Sequence, residues 1–128
     1  NTNTIINKTV PKILGFFSNT KVIKLLCDGT MPVTVCGKFY KASICKNMKY
    51  PNFNPGEDFC GNIQVLLKTT KNVYIDNYCG YYYFRDSAQP SITRSKRDFK
   101  KRMSHINSFI FVYKISPTQD IKNILSGL

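Results

Sequence analysis

The hydrophobic residues of this chain occur in short runs, each separated from the next by polar and turn-forming residues. No run approaches the roughly 18 apolar residues that a membrane-spanning helix needs. Short runs bounded by Gly, Pro, Asn and Ser are typical of β-strands, so this distribution favours a fold that contains a sheet. At 128 residues the chain is long enough for one domain with its own hydrophobic core.

The fold class follows from the order of these patterns along the chain. We predict β-strands over residues 21–27, 63–68, 72–76, 79–85 and 108–115. One amphipathic helix is predicted over residues 33–47, because apolar side chains recur there at helical spacing behind Pro32. The segment 50–62, which is rich in Pro, Gly and Asn, is predicted to be a loop. We therefore expect an α+β domain in which one main helix packs on a small antiparallel sheet.

The whole chain, residues 1–128, is predicted to form a single domain. Within it we distinguish an N-terminal arm over residues 1–20, a core over residues 21–116, a basic loop over residues 86–107 and a C-terminal tail over residues 117–128. The tail has apolar residues at helical spacing and Thr118 as a candidate N-cap, and it therefore predicts a short helix.

The charge balance favours anionic partners. Nineteen Lys and Arg residues stand against seven Asp and Glu residues, which gives a net charge of +12. The densest basic block contains Arg94, Lys96, Arg97, Lys100, Lys101 and Arg102. Such a block predicts binding to RNA phosphates or to anionic lipid, and the alternative is a solvated loop. Tyr81 and Tyr83 of the predicted strand are candidates for stacking on bases beside it, with core packing as their alternative role.

Few residues could carry catalysis. His105 is the only histidine and Glu57 the only glutamate. With an arginine such as Arg85 or Arg102 they could supply the base, the acid and the cation that cleavage of RNA requires. The chain has no phosphate-binding loop, dinucleotide-binding or metalloprotease motif, and its cysteines lack the close pairs of a zinc site. We therefore expect no cofactor and no metal.

The cysteines bear on the compartment. They stand at Cys27, Cys36, Cys45, Cys60 and Cys79. Two disulfides and one remaining thiol are the expected state in a secreted protein, and five reduced, buried thiols are the alternative. The chain begins with Asn1 rather than Met and carries one glycosylation sequon at Asn7-Lys8-Thr9. These features suggest a mature secreted form.

The order of several short motifs resembles the RNase-like secreted effectors of powdery mildew fungi. The motifs are Leu25-Leu26-Cys27-Asp28-Gly29, the predicted helix that ends near Cys45, Tyr50-Pro51-Asn52-Phe53, and the apolar segments 63–67, 73–75, 81–84 and 109–113. The resemblance covers residues 21–116. It implies the fold of the guanyl-specific fungal ribonucleases, in which one helix packs on a small antiparallel sheet.

The resemblance also implies a function. Most such effectors have lost the ribonuclease residues, so it implies a pseudo-ribonuclease that binds host RNA or host protein, suppresses defence inside the host cell and in some cases meets a plant immune receptor. Two alternatives stay open. One is an active small secreted ribonuclease that uses Glu57, His105 and Arg85. The other is a viral or parasite ectodomain that binds a host receptor or a glycosaminoglycan.

Overall fold

A computed structural model describes residues 12–78, 81 and 98–127 of the chain. In chain order its elements are β1 (Gly15–Phe17), α1 (Asn19–Cys27), α2 (Ala42–Cys45), α3 (Glu57–Lys68), β2 (Val73–Ile75), α4 (Phe99–Ile115) and α5 (Gln119–Ser126). The described residues thus combine five helices with one two-stranded antiparallel sheet. A fold that mixes helices with an antiparallel sheet is confirmed, although helices form the larger part of it.

Helix α1 replaces the strand that the sequence predicts over residues 21–27. Ser18 caps this helix, since its side chain accepts a hydrogen bond from the backbone N–H of Lys21 at 3.3 Å. The buried side chains of the helix are those of Val22, Ile23, Leu25 and Leu26. This spacing puts all of them on one helical face, whereas a strand would direct alternate residues to opposite sides. The strand prediction is therefore wrong.

Helix α3 is the centre of the fold. It begins at Glu57, inside the predicted loop 50–62, and continues through the predicted strand 63–68, so both predictions are wrong from residue 57 onward. All residues from 59 to 66 are buried, because α1, α2 and α4 pack around the helix. When a short segment is buried on every side, its hydrophobic pattern has no period, so the sequence does not distinguish a strand from a buried helix.

Helix α4 occupies the end of the predicted basic loop 86–107 and the whole of the predicted strand 108–115. Asp98 caps it, accepting a hydrogen bond from the backbone N–H of Lys101 at 2.9 Å. Ser108 and Val112, one helical turn apart, are its buried residues. The β-branched and aromatic residues that favour a strand here are overridden by tertiary packing, and the strand prediction is wrong. Residues 86–97 lie outside the described residues.

The predicted main helix over residues 33–47 is also wrong. Only the four residues of α2 are helical there, and the remainder is irregular chain. Val33 and Val35 are poor helix formers, and Gly37 has a φ of +72°, which a right-handed helix does not accept. The irregular chain contributes no residue to the buried core, so other contacts must hold it in place.

The sheet is small. Strands β1 and β2 pair antiparallel, with Phe16 opposite Tyr74, and the ring centroids of these two residues are 4.8 Å apart. Strand β2 confirms the strand predicted over residues 72–76. Strand β1 lies within the predicted arm. Apart from Tyr81, the strand predicted over residues 79–85 lies outside the described residues.

Helix α5 confirms the helix predicted in the tail. Thr118 caps it, since its hydroxyl accepts a hydrogen bond from the backbone N–H of Ile121 at 3.4 Å. The helices and β2 enclose one core, formed by Val22, Ile23, Leu25, Leu26, Phe59, Cys60, Ile63, Leu66, Ile75, Val112, Ile121 and Leu125. Among the helices described, none has the length and apolar character to cross a bilayer.

Candidate nucleic-acid interface

Helix α3 carries two buried amide side chains, Asn62 and Gln64. A buried amide is unfavourable unless its N–H and C=O groups find hydrogen-bond partners. Here the partners belong largely to the irregular chain over residues 33–50, which the hydrophobic core does not hold. These two residues therefore attach that chain to the central helix.

Asn62 holds the first part of the irregular chain. Its Nδ2 donates to the carbonyl oxygen of Val33 at 2.6 Å and to that of Asp58 at 2.8 Å. Its Oδ1 accepts a hydrogen bond from the hydroxyl of Tyr40. Burial, with smaller contributions from Tyr50 and Asp58, raises the pKa of Tyr40 to about 12. The hydroxyl therefore keeps its proton at neutral pH and remains a donor.

Gln64 holds the second part. Its Oε1 accepts a hydrogen bond from the backbone N–H of Lys49 at 2.9 Å, and its Nε2 donates to the carbonyl oxygen of the same residue at 2.6 Å. The Nε2 also donates to the carbonyl oxygen of Cys60 at 3.2 Å. One side chain thus satisfies both backbone groups of Lys49, as a neighbouring strand would.

The chain that these amides hold is basic. We call residues 38–50 the lysine segment; it contains Lys38, Lys41, Lys46 and Lys49, and no acidic residue occurs between Asp28 and Glu57. Lys41, Lys46 and Lys49 are exposed. Lys68 of α3 is also exposed, and its Nζ donates to the carbonyl oxygen of Lys46 at 3.0 Å. This contact adds a fourth ammonium group to the same region. No sequence prediction named this cluster, although the acid-free stretch is a signal that could have found it.

Lys38 has a structural role instead. Its Nζ donates to the carbonyl oxygen of Pro32 at 2.8 Å and to that of Thr34. Burial lowers the pKa of its ammonium, while Asp58 and Cys36 act in the opposite direction. The side chain closes the turn that leads into the lysine segment, and its charge is partly withdrawn from solvent.

Aromatic side chains stand among the exposed lysines. Phe39 is 93% exposed and Tyr50 is 63% exposed. Tyr50 rests on α3, because a Cβ at Gly61 would lie only 3.1 Å from its Cε1. Tyr81, one of the two predicted stacking residues, is brought to the same region, since its Cβ lies 3.8 Å from the position of a Cβ at Gly37. Tyr83, the other, lies outside the described residues.

Cys36 lies at the start of this region. Hydrogen bonds from the side chains of Thr34 and then Tyr81 lower the pKa of its thiol, against smaller opposing effects of burial and of Asp58. Burial, with Asp28 adding to it, raises the pKa of the Cys27 thiol to about 11. Burial, with Glu57 adding to it, does the same for Cys60. The thiol pKa is therefore lowered at Cys36 and raised at Cys27 and Cys60, so Cys36 forms its reactive thiolate more readily than the other two.

The described cysteines are free thiols, namely Cys27, Cys36, Cys45 and Cys60. This is the state of the reduced alternative, and no disulfide joins these four. Cys60 is fully buried, and its Sγ lies 3.7 Å from the carbonyl oxygen of Ser108. Cys79 lies outside the described residues. The pairing of the cysteines stays a prediction.

The predicted basic block divides in two. Lys100, Lys101 and Arg102 form the first turn of α4, where Lys100 and Arg102 are exposed and Lys101 is partly buried. Three cations in a first turn, at the positive end of the helix macrodipole, do not stabilise the helix, and they leave this end attractive to anions. Arg94, Lys96 and Arg97 lie outside the described residues.

The predicted catalytic residues stand on two touching helices. Glu57 is exposed in the first turn of α3, and His105 is exposed on α4. Their sequence neighbours meet: a Cβ at Gly56 would lie 3.4 Å from the carbonyl oxygen of Ser104. Arg85 lies outside the described residues. Within the described part of the chain, no group of three or more His, Cys, Asp or Glu side chains could hold a metal ion.

Comparisons of this chain with models of protein families, with curated protein sequences and with solved structures gave no significant match.

Proposed function

We propose that the protein is a non-enzymatic RNA-binding protein and that the lysine segment is its contact with RNA. One observation carries the proposal: an acid-free segment presents its ammonium groups and aromatic rings to solvent while Gln64 holds its backbone at Lys49 and Asn62 holds the hydroxyl of Tyr40. A backbone that is already ordered loses little conformational entropy when a ligand binds.

The chemistry of this surface suits a single strand. Lys41, Lys46 and Lys49 are placed to bind phosphates, and each phosphate contact displaces counterions from the nucleic acid. Phe39 and Tyr50 offer exposed rings on which unpaired bases stack, whatever their sequence. A duplex would keep its bases stacked on one another, so the aromatic residues favour single-stranded RNA over double-stranded RNA.

The biological setting extends this proposal. We propose that the protein acts as a secreted virulence effector that binds host RNA or host protein and suppresses defence. A plant immune receptor that recognises it is part of this proposal. An RNase-like topology remains a hypothesis that rests on the order of the short motifs. Helices α1, α3 and α4 occupy three of the segments that the resemblance assigns to strands.

Fluorescence anisotropy of a labelled single-stranded RNA, measured with the full chain over a range of salt concentrations, tests the RNA contact. The slope of log K against log salt is negative, and each lost phosphate contact reduces its magnitude by about 0.7. We expect the triple variant Lys41→Ala, Lys46→Ala, Lys49→Ala to reduce this magnitude by about 2.

Two control variants remove the same amount of charge elsewhere. The variant Lys12→Ala, Lys21→Ala, Lys24→Ala should keep the wild-type slope. The variant Lys100→Ala, Lys101→Ala, Arg102→Ala tests the predicted basic block and should change the slope less than the lysine-segment variant does. Equal slopes for the lysine-segment variant and the wild-type protein would refute the proposed contact.

A second function, cleavage of RNA, is favoured by the meeting of the residues next to Glu57 and His105. In that reaction the Glu57 carboxylate takes the proton of a 2′-hydroxyl, whose oxygen attacks the adjacent phosphorus. The protonated His105 gives its proton to the departing 5′-oxygen. The products are a 2′,3′-cyclic phosphate and a 5′-hydroxyl, and neighbouring cations stabilise the charge on phosphorus.

End-labelled RNA incubated with the pure protein in the absence of metal separates the two functions. Binding without cleavage is the expected result. Cleavage that is lost in His105→Ala would show an active ribonuclease. Cleavage that persists in this variant would come from a contaminant and would leave the binding proposal standing on the anisotropy data.

A further inference from the structure

Helix α4 is apolar on two opposite sides. Its inner side carries the buried Ser108 and Val112. Its outer side carries a second row, which we call the ridge: Phe99 is 77% exposed, Ile106 48%, Ile110 46% and Tyr113 42%. The spacings of seven, four and three residues place the four side chains along one line of the helix surface. A globular protein normally presents polar residues there.

Cations flank the ridge on both sides. Arg102 precedes Ile106 by one helical turn, and Lys114 follows Ile110 by one turn, so each lies beside the ridge at i±4 spacing. From α5, the Nζ of Lys122 lies 5.4 Å from the ring centroid of Tyr113. Helix α4 contains no acidic residue. Asp98 stands before the helix as its N-cap, and the ridge itself combines exposed apolar groups with flanking cations.

We propose that the ridge of α4 docks the protein on the surface of a bilayer that contains anionic phospholipid. An interfacial helix buries Phe, Ile and Tyr side chains at the boundary between headgroups and acyl chains while its Lys and Arg residues contact anionic headgroups. The ridge has both groups in this arrangement. A convex row on one helix fits a soft, deformable surface without needing a matching groove.

Charge argues against a second copy of this chain as the occupant. A two-fold contact along the ridge would bring Arg102 and Lys114 of one copy close to the same cations of the other, with no acidic residue of α4 to pair with them. The net charge of +12 opposes close approach of two copies in any orientation. An anionic bilayer supplies the charge that a second copy lacks.

A tryptophan reporter tests the docking directly, because the chain contains no Trp. In the full-length variant Ile110→Trp, the emission of the new residue should shift to shorter wavelength when equimolar phosphatidylserine and phosphatidylcholine vesicles are added. The variant Tyr78→Trp, with the reporter at an exposed site that is not part of α4, should show no shift. A blue shift of both reporters, or of neither, would overturn the proposal.

Co-sedimentation with the same vesicles measures the contribution of the apolar groups. The double variant Ile106→Ser, Ile110→Ser should bind roughly tenfold more weakly or worse, since it removes two apolar side chains from the interface. The double variant Leu14→Ser, Tyr78→Ser alters two exposed residues elsewhere and should bind as the wild-type protein does. Vesicles of phosphatidylcholine alone should bind little of any variant.

Three results would refute docking by the ridge. They are equal vesicle binding by the ridge variant and the wild-type protein, binding that depends on salt but not on the isoleucines, and dimerisation that the ridge variant abolishes while vesicles bind neither protein. The outcome is independent of the RNA proposal, since Ile106 and Ile110 are not part of the lysine segment.

Discussion

The lysine segment and helix α4 both present cations to solvent, but different groups hold their backbones. In α4 the backbone satisfies its own hydrogen bonds, and the apolar contacts of Val112 fix the helix on the core. The lysine segment has little regular structure, so Gln64 supplies partners to its backbone at Lys49, and Asn62 bonds to the Tyr40 side chain and to the backbone of Val33 just before it. The surface of α4 therefore depends on packing, and the lysine segment depends on a few buried hydrogen bonds.

This difference predicts how each surface fails. Loss of one methyl group beneath a helix weakens its docking by a small amount, and the helix keeps its shape. Loss of one buried amide leaves backbone groups without partners and releases the segment that they held. Substitutions on α3, which contacts both regions, can therefore separate the two modes of support.

The largest expected effect is that of Gly56→Ala, at the contact between the start of α3 and α4. Gly56 has a φ of +130°, and a Cβ there would lie 2.8 Å from the Cβ of Ser108. Backbone strain and the clash together should lower the free energy of unfolding by about 3 kcal/mol or more. Chemical denaturation measures this change.

Gly15→Ala is the matched control for that substitution. Gly15 also has a positive φ, +114°, but nothing lies within 4 Å of a Cβ at its position. The free energy of unfolding that Gly15→Ala loses should therefore reflect backbone strain alone, about 1–2 kcal/mol. Equal effects of the two substitutions would show that the contact between α3 and α4 is looser than the structure indicates.

The second prediction concerns the buried amide. Gln64→Ala leaves the N–H and C=O groups of Lys49 without their side-chain partner, and we expect a loss of about 2 kcal/mol in unfolding free energy. RNA affinity should fall with it, because the lysine segment loses its order. Vesicle binding by α4 should stay close to the wild-type level.

Gln119→Ala provides the comparison. Gln119 is exposed and bonds to Asn123 within α5, so its substitution should change stability by no more than about 0.5 kcal/mol. If Gln64→Ala were equally mild, the lysine segment would have to be held by contacts other than the amides.

The third prediction separates binding from stability. Phe39 is almost fully exposed, so Phe39→Ala should leave the unfolding free energy within about 0.5 kcal/mol of the wild-type value. Loss of one stacked base should weaken binding of single-stranded RNA by about 1–2 kcal/mol. Anisotropy with the variant Tyr78→Ala, another exposed aromatic, serves as control and should show no weakening.

Two elements outside these regions are predicted correctly from the sequence. The C-terminal helix followed from the Thr118 cap and the spacing of Ile121 and Leu125, and β2 followed from the alternation around Val73 and Ile75. These elements are short, and their local signals agree with their tertiary environment. The stacking role predicted for Tyr81 and the anion-binding role predicted for Lys100, Lys101 and Arg102 stay predictions.

The errors have physical causes. At the start of α1, Ser18 is the N-cap and Asn19 and Thr20 begin the helix, although these three polar residues resemble the end of an apolar run. Helix α4 contains strand-forming residues that only packing against α3 turns into a helix. The acid-free stretch marks the lysine segment in the sequence, but its ordered conformation could not be predicted, because that order depends on Asn62 and Gln64, which lie far away in sequence. Long-range hydrogen bonds of this kind leave no periodic pattern.

The last prediction is the smallest in energy and concerns the thiol beside the lysine segment. A lowered pKa gives Cys36 a larger thiolate fraction at any pH below its own pKa, and the thiolate is the reacting form. Peptide mapping of iodoacetamide-treated protein across a pH series should therefore show Cys36 modified at lower pH than Cys27, whose pKa is about 11. Tyr81→Phe removes one of the two hydrogen bonds and should move the Cys36 profile to higher pH, while the Cys27 profile stays in place. A Cys36 profile that this variant does not move would mean that Tyr81 does not contact the thiol in solution, and Tyr81 would then lose its place beside the lysine segment.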